Sequence, residues 1–183
     1  MPALSPQDPD FEARVRASFA RQEAMKTLGI ELLSVKPGEV ELEMPYRQAF
    51  TQQHGFIHAG IITTALDSAC GYAAFSLMPK DAAVLTVEFK TNLLAPAKGD
   101  CFAIIGRVVK GGRTITVCEG QAFHVQDGKP RLIATMTGTL MAIYDRAGIS
   151  HCRGSNRHGS DRTDRTRRHR RDRGGRAHAC RAP

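Results

Sequence analysis

Asp67 stands in the middle of HGFIHAGIITTALDSACGYAAF, residues 54–75, where nearly every position after the second histidine is apolar or small. Aspartate is a poor helix former, and an ionised carboxylate in apolar surroundings is strongly unfavourable unless it is hydrogen-bonded. One reading makes Asp67 a cap for a neighbouring element or one half of a pair across a subunit contact. The other keeps it for chemistry, as a general base toward water or as a nucleophile that forms a mixed anhydride with an acyl group. Residue types alone leave both routes open. An acyl carbonyl under attack also needs donors for its developing oxyanion. The start of a helix offers unpaired N–H groups and the positive end of its dipole, and small Ala59 and Gly60 there would let a carbonyl approach.

His54 and His58 are four residues apart, a spacing that on a helix could place two metal ligands on one face. Gly55 interrupts them, no glutamate follows the first, and no third ligand is suitably placed, so no metal is expected. His58 instead reads as a residue that hydrogen-bonds loop backbone and sets the helix entry, and His54 as one that lines a pocket mouth. The five cysteines, Cys70, Cys101, Cys118, Cys152 and Cys180, form neither a CxxC pair nor a tight framework. The first three lie in apolar segments where a thiol behaves as a small hydrophobe, which points to a reducing cytoplasm.

The elements that must hold these residues are legible from periodicity. Phe11, Val15, Ser18 and Phe19 recur at helical spacing, predicting one amphipathic helix over about residues 10 to 26. GIELLSVKPGEVELEMPY reads as strand, Pro37-Gly38 turn, strand. Four further strand candidates run from AAVLTVEFKTNLLAP to MAIY, with Gly111-Gly112 and Asp127-Gly128 as hairpin turns that tolerate positive φ. One helix from about His58 to Leu77 must then be covered by about six antiparallel strands. Its Ala59, Gly60, Ala65, Ser68, Ala69, Gly71, Ala73 and Ala74 suit a curved sheet closing on a helix along most of its circumference.

HGFIHAGIITTALDSACGYAA, LTVEFKTNLLAPA and GRVVKGGRTITVCEGQA together resemble the hotdog-fold thioesterases of the phenylacetate-pathway (PaaI-like) type. The likeness rests on a histidine, two small residues and an aspartate nine positions after the histidine, here His58, Ala59, Gly60 and Asp67. It spans about residues 11 to 145. It implies an α+β hotdog fold and hydrolysis of an acyl-CoA without a cofactor. It further implies a homodimer or homotetramer in which Asp67 of one subunit faces Ala59, Gly60 and Gln52 of another. By the same resemblance the Ala59 N–H is the oxyanion donor, Gln52 orients the carbonyl or the water, and Thr86 positions water or the carboxylate. Each has a plainer reading: Gln52 as a loop cap, Thr86 as an ordinary strand residue. Family members often carry glycine at position 59, where alanine keeps the N–H but restricts φ. A non-catalytic acyl-CoA-binding protein of the same fold is the alternative, and Asp67 argues against it.

The acyl group would lie against apolar residues such as Phe56, Leu66, Tyr72 and Phe75. Phosphates of the nucleotide would seek Arg107, Lys110 or Arg113, which equally suit a solvated edge that discourages strand pairing. The net charge of +8 does not point to a nucleic-acid partner for the domain. Residues 150–183 hold 11 of the 26 basic and 3 of the 18 acidic residues, which leaves 15 of each in the rest of the chain. That stretch has no Val, Leu, Met, Phe, Tyr or Trp with which to build a core. We therefore expect a flexible N-terminus over 1–10, one folded domain over 11–145 and a disordered arginine-rich tail over 146–183. Nucleic acid would be met only through the tail. No run of about 18 apolar residues and no basic-then-apolar leader is found, so neither a membrane span nor a signal peptide is expected.

Overall fold

The structure is a computed structural model that describes residues 4–144 together with Cys180. The disorder expected of the tail, and its phosphate-binding alternative, concern residues that lie outside the described ones except for Cys180.

Helices α1 (Phe11–Phe19) and α2 (Glu23–Leu28) precede strands β1 (Glu31–Lys36) and β2 (Glu39–Pro45). The long helix α3 (Ala59–Leu77) follows, and then β3 (Ala83–Leu93), β4 (Cys101–Gly111), β5 (Ile115–Gln126) and β6 (Lys129–Ile143). The six strands form one antiparallel sheet in the order β1-β2-β4-β5-β6-β3, folded over α3. This is the α+β hotdog architecture the sequence resembles.

Two of the expected turns adopt left-handed backbone: Gly38 has φ +73°, and Asp127 and Gly128 have φ +51° and +71°. Gly111 and Gly112 do not, so glycine is needed at that hairpin for a different reason. A Cβ at Gly112 would sit 2.6 Å from the Ile115 carbonyl oxygen. Close approach also sets the middle of the domain. A Cβ at Gly106 of β4 would fall 2.6 Å from the Cys70 backbone nitrogen, and one at Gly120 of β5 would fall 3.0 Å from Cys70 Sγ. Phe102, Ile104 and Leu42 fill the space on either side, each fully buried against α3.

The single helix expected over 10–26 is two helices. Gln22 takes φ −74° and ψ 103° between them, which turns the chain so that Met25 and Leu28 enter the core. Within residues 4–10, expected to be flexible, exposed Gln7 is held by a backbone hydrogen bond and Asp8 is buried. The Gln7 N–H donates to the Leu77 carbonyl, and Asp8 is buried in an ion pair with Arg14 at 2.7 Å. Arg14 also donates to the carbonyls of Phe75 and Met78 at the C-terminus of α3, where the helix dipole favours a cation. One turn further along α1, Ser18 Oγ meets the Tyr72 hydroxyl at 3.3 Å. As α1 advances its partners on α3 move toward the N-terminus, so the two helices run antiparallel.

α3 is not covered all round. Gly60, Thr63, Thr64, Asp67, Ser68 and Gly71 keep partial or full exposure at helical spacing, forming one stripe that the sheet leaves open. Beside it runs β3, one of the two edge strands, which pairs with β6 on one side and with no other strand among the described residues. From Leu85 to Lys90 every residue of β3 is exposed, apolar Leu85, Val87 and Phe89 included.

Cys101 corrects the expectation for the cysteines. It is disulfide-bonded to Cys180 across 79 residues of sequence. Cys180 lies against Ala103, Ile105, Phe123 and Val125 on the face of the sheet opposite α3, and its N–H donates to the Glu43 carboxylate. Cys70 and Cys118 are free and buried, as expected of small hydrophobes. Burial pushes the Cys118 thiol up to about 12, so it is unreactive at neutral pH.

Candidate active site

Asp67 sits on the open stripe of α3 and is half-buried, whereas its apolar neighbours in sequence suggest full burial. The reason is the angular position: Leu66, Ala65 and Ala69 face the sheet, and Asp67 points past its edge toward β3. There the Thr86 hydroxyl donates to Asp67 Oδ1 at 2.8 Å. Thr86 reaches this position because β3 forms the sheet edge that flanks α3. The pair lies at a cavity of about 330 Å³ lined also by Ser18, Gln22, Tyr72 and Leu85. Burial raises the Tyr72 hydroxyl above its ordinary range, against smaller lowering effects from Ser18 and Arg21.

A second cavity, of about 430 Å³, opens at the N-terminus of α3 and includes Gln52, Phe56, Ala59, Leu93 and Ala97 in its walls. His58 caps the helix: its Nδ1 accepts from the Gly60 N–H at 3.0 Å, and its own N–H donates to the Phe50 carbonyl at 2.9 Å. The Gly60 donor is thereby occupied. The Ala59 N–H has no hydrogen-bond partner among the described residues, and Ala59 is one of the residues lining the cavity. Gln52 Oε1 accepts from the His54 N–H, which leaves the amide NH₂ as the side chain's remaining donor. His54 itself is exposed on this loop.

Asp67 and Ala59 are eight residues apart on one helix, or ~12 Å along its axis. Within one chain the carboxylate and the helix N-terminus therefore open onto different cavities. Arg113 lies at a third cavity, beside Leu77 and Leu4 at the opposite end of α3. Arg107 is paired with Glu39 at 2.7 Å. Leu66 and Phe75 are sealed in the core and line none of these cavities.

His54 and His58 join no metal-like cluster among the described residues. The group with suitable spacing is Glu43, Cys101 and Cys180, and its two sulfurs are bonded to each other. Ser18 and Gln22 were not foreseen beside Asp67. Nothing in the sequence marks the break after Phe19 that brings them there, for it contains neither glycine nor proline.

One long helix under a six-stranded antiparallel sheet defines a hotdog domain. The thioesterase superfamily model matches residues 54–130. A solved thioesterase family protein from Silicibacter pomeroyi is 60% identical, covering 74% of this chain and 99% of that one, with a TM-score of 0.73. A Saccharolobus solfataricus protein whose name proposes esterase activity is 36% identical over 105 residues, 57% of this chain and 73% of that one. Human acyl-coenzyme A thioesterase 13 is 28% identical over 117 residues, 63% of this chain and 83% of that one. The chain belongs to the thioesterase superfamily and is a thioester hydrolase.

Proposed function

We propose that the protein hydrolyses acyl-CoA thioesters at a site shared by two copies of the chain. The observation that carries this reading is the Thr86–Asp67 hydrogen bond at the rim of a cavity. Asp67, as base, takes a proton from water while the water oxygen attacks the thioester carbonyl. The carbon–sulfur bond then breaks, and the coenzyme A thiolate recovers the proton. In the nucleophilic variant Asp67 attacks first and water cleaves the resulting anhydride. No cofactor is required by either route.

The oxyanion donor comes from a second protomer. Among the described residues strand β3 has one unpaired edge and apolar side chains in solvent, which a two-fold copy can pair and cover. If β3 pairs with its own copy in antiparallel register, the start of one strand lies opposite the end of the other. Thr86 is near the start, and Leu93, which lines the cavity of Gln52 and Ala59, is at the end. This pairing brings Asp67 toward the partner's Ala59 N–H and the partner's Gln52 amide, closing the ~12 Å gap that one helix leaves. Phe56 and His54 then flank the entering thioester, and Arg113 remains the candidate for nucleotide phosphates. The reading implies the cytoplasm, where coenzyme A thioesters are made and used. Among the described residues no helix is long and apolar enough to cross a membrane.

The test is free-thiol release from aromatic and aliphatic acyl-CoAs, wild type beside Asp67→Asn. Turnover should fall by about 10²–10⁴ in the variant, with the circular dichroism spectrum unchanged. An active Asp67→Asn protein refutes the role of the carboxylate, and tight acyl-CoA binding with no turnover by either protein establishes the non-catalytic alternative. A single turnover in ¹⁸O-water tests the nucleophilic route: if water opens the anhydride at the Asp67 carbonyl, ¹⁸O stays in Asp67 and one of its ¹⁶O atoms leaves in the product acid, whereas the general-base route puts ¹⁸O in the product.

A further inference from the structure

The register of β2 on β4 sets Glu43 opposite Ala103 and Pro45 opposite Cys101. Glu43 and Cys101 are therefore diagonal neighbours, and because Leu42, Met44 and Phe102 turn into the core, both side chains stand on the outer face of the sheet. Cys180 reaches that face from far along the chain, packs against Ala103 and Ile105, and donates its N–H to the Glu43 carboxylate. A Glu43 carboxylate oxygen and the two sulfurs lie within 4.8 Å of one another. Ligands about 2.0–2.3 Å from a zinc ion sit up to ~4.6 Å apart, so three donors gathered this closely approach the span of one coordination shell.

The surroundings are short of positive charge. Glu31 stands directly across the β1–β2 ladder from Glu43. Two carboxylates so placed repel each other, and among the described residues neither belongs to an ion pair. A cation at Glu43 relieves that repulsion. The donor set decides which cation: two sulfurs and one carboxylate suit a borderline-soft ion such as Zn²⁺, whereas Mg²⁺ and Ca²⁺ take oxygen ligands. The disulfide closes the site, since a bonded pair of sulfurs offers no thiolate. Cys101 keeps partial exposure, which gives a small thiol access to the bond.

We propose that reduction of Cys101–Cys180 opens a zinc site made by the two thiolates and Glu43, with the fourth position left to water. Two molecules of a glutathione-class thiol reduce the bond to two cysteine thiols and leave joined as their own disulfide. Zn²⁺ then displaces one proton from each cysteine to solvent. Cys180 is tied to the sheet in both states, by a sulfur–sulfur bond in one and by the metal in the other. The site is separate from Asp67 and does not rest on the hydrolytic mechanism.

In the experiment the full-length protein is reduced with a phosphine, desalted under argon and incubated with zinc chloride beside an oxidised sample. Bound metal is counted by atomic emission after gel filtration. The reduced wild type should retain one zinc per chain more than the oxidised protein. Co²⁺ in its place should give a thiolate-to-cobalt charge-transfer band, and zinc should shield Cys101 and Cys180 from iodoacetamide in the mass spectrum of the digest. Cys101→Ser should lose the additional ion. Glu43→Gln should weaken its binding by at least about tenfold, the loss that even an outer-shell partner causes. Equal retention by the reduced and oxidised wild type overturns the proposal, as does undiminished binding by Cys101→Ser or Glu43→Gln, for the ion is then held elsewhere. If Cys101→Ser does not fold, the wild type decides the matter: a cobalt spectrum without the thiolate band, or shielding of other cysteines instead, also sinks the site.

Discussion

A carboxylate proposed to react must be held in one orientation, and for Asp67 the visible restraint is Thr86. The hydroxyl donates to Oδ1 at 2.8 Å and leaves Oδ2 for water or carbonyl. Thr86→Val keeps the β-branched shape that suits a strand and removes the donor. A hydrogen bond to a charged group contributes about 1.5–3 kcal/mol, so kcat should fall roughly 10- to 100-fold while the thermal midpoint holds. Undiminished turnover in Thr86→Val would reduce this contact to a strand residue meeting its neighbour. The pairing was legible in the sequence through the resemblance alone, because no spacing rule links a helix residue to a strand 19 positions later.

At the scale of elements, the β1–β2 hairpin is fastened to β4 by charges. Glu39 accepts from Lys36 at 3.0 Å and from Arg107 at 2.7 Å. Burial pushes the Glu39 carboxyl upward, but the hydrogen bonds and charges of Lys36 and Arg107 together outweigh it and hold the group below its ordinary value of 4.5. A carboxyl lowered in the folded state contributes stability above the unfolded value and loses it as pH falls through the folded one. Below pH 4.5 the wild-type thermal midpoint should therefore drop more steeply than that of Glu39→Gln, and parallel curves would show that the cluster contributes nothing. The hairpin itself was readable from Pro37-Gly38. The break between α1 and α2 was not, because Ala20, Arg21 and Gln22 carry no turn chemistry; it falls just after Phe19, which packs on Tyr72 at 5.4 Å.

For the whole molecule, the consequential feature is the bare edge of β3. A strand exposed on both faces, with Leu85, Val87 and Phe89 in solvent, invites pairing, and in the proposed function a two-fold pairing is what brings the oxyanion donor to Asp67. Analytical ultracentrifugation should find at least a dimer of the 20.0 kDa chain. Phe89→Glu, which sets a charge on the exposed part of that strand and touches neither Asp67 nor Gln52, should give a folded monomer with little turnover. A wild-type monomer that is fully active, or an active Phe89→Glu monomer, would dispose of the shared site.

What the sequence by itself determined is what short-range chemistry can encode. Alternation marked six strands, a long run of small and apolar residues marked one buried helix, turn residues marked the hairpins, and a carboxylate out of keeping with its surroundings marked Asp67. Tertiary structure decided which of these meet. It set β3 at the sheet edge beside α3, opened the stripe that leaves Asp67 half-exposed, joined Cys101 to Cys180 and brought Gln22 to the wall of the Asp67 cavity. Those outcomes depend on contacts between residues far apart in the chain, whose geometry is settled by packing rather than by the identity of neighbours.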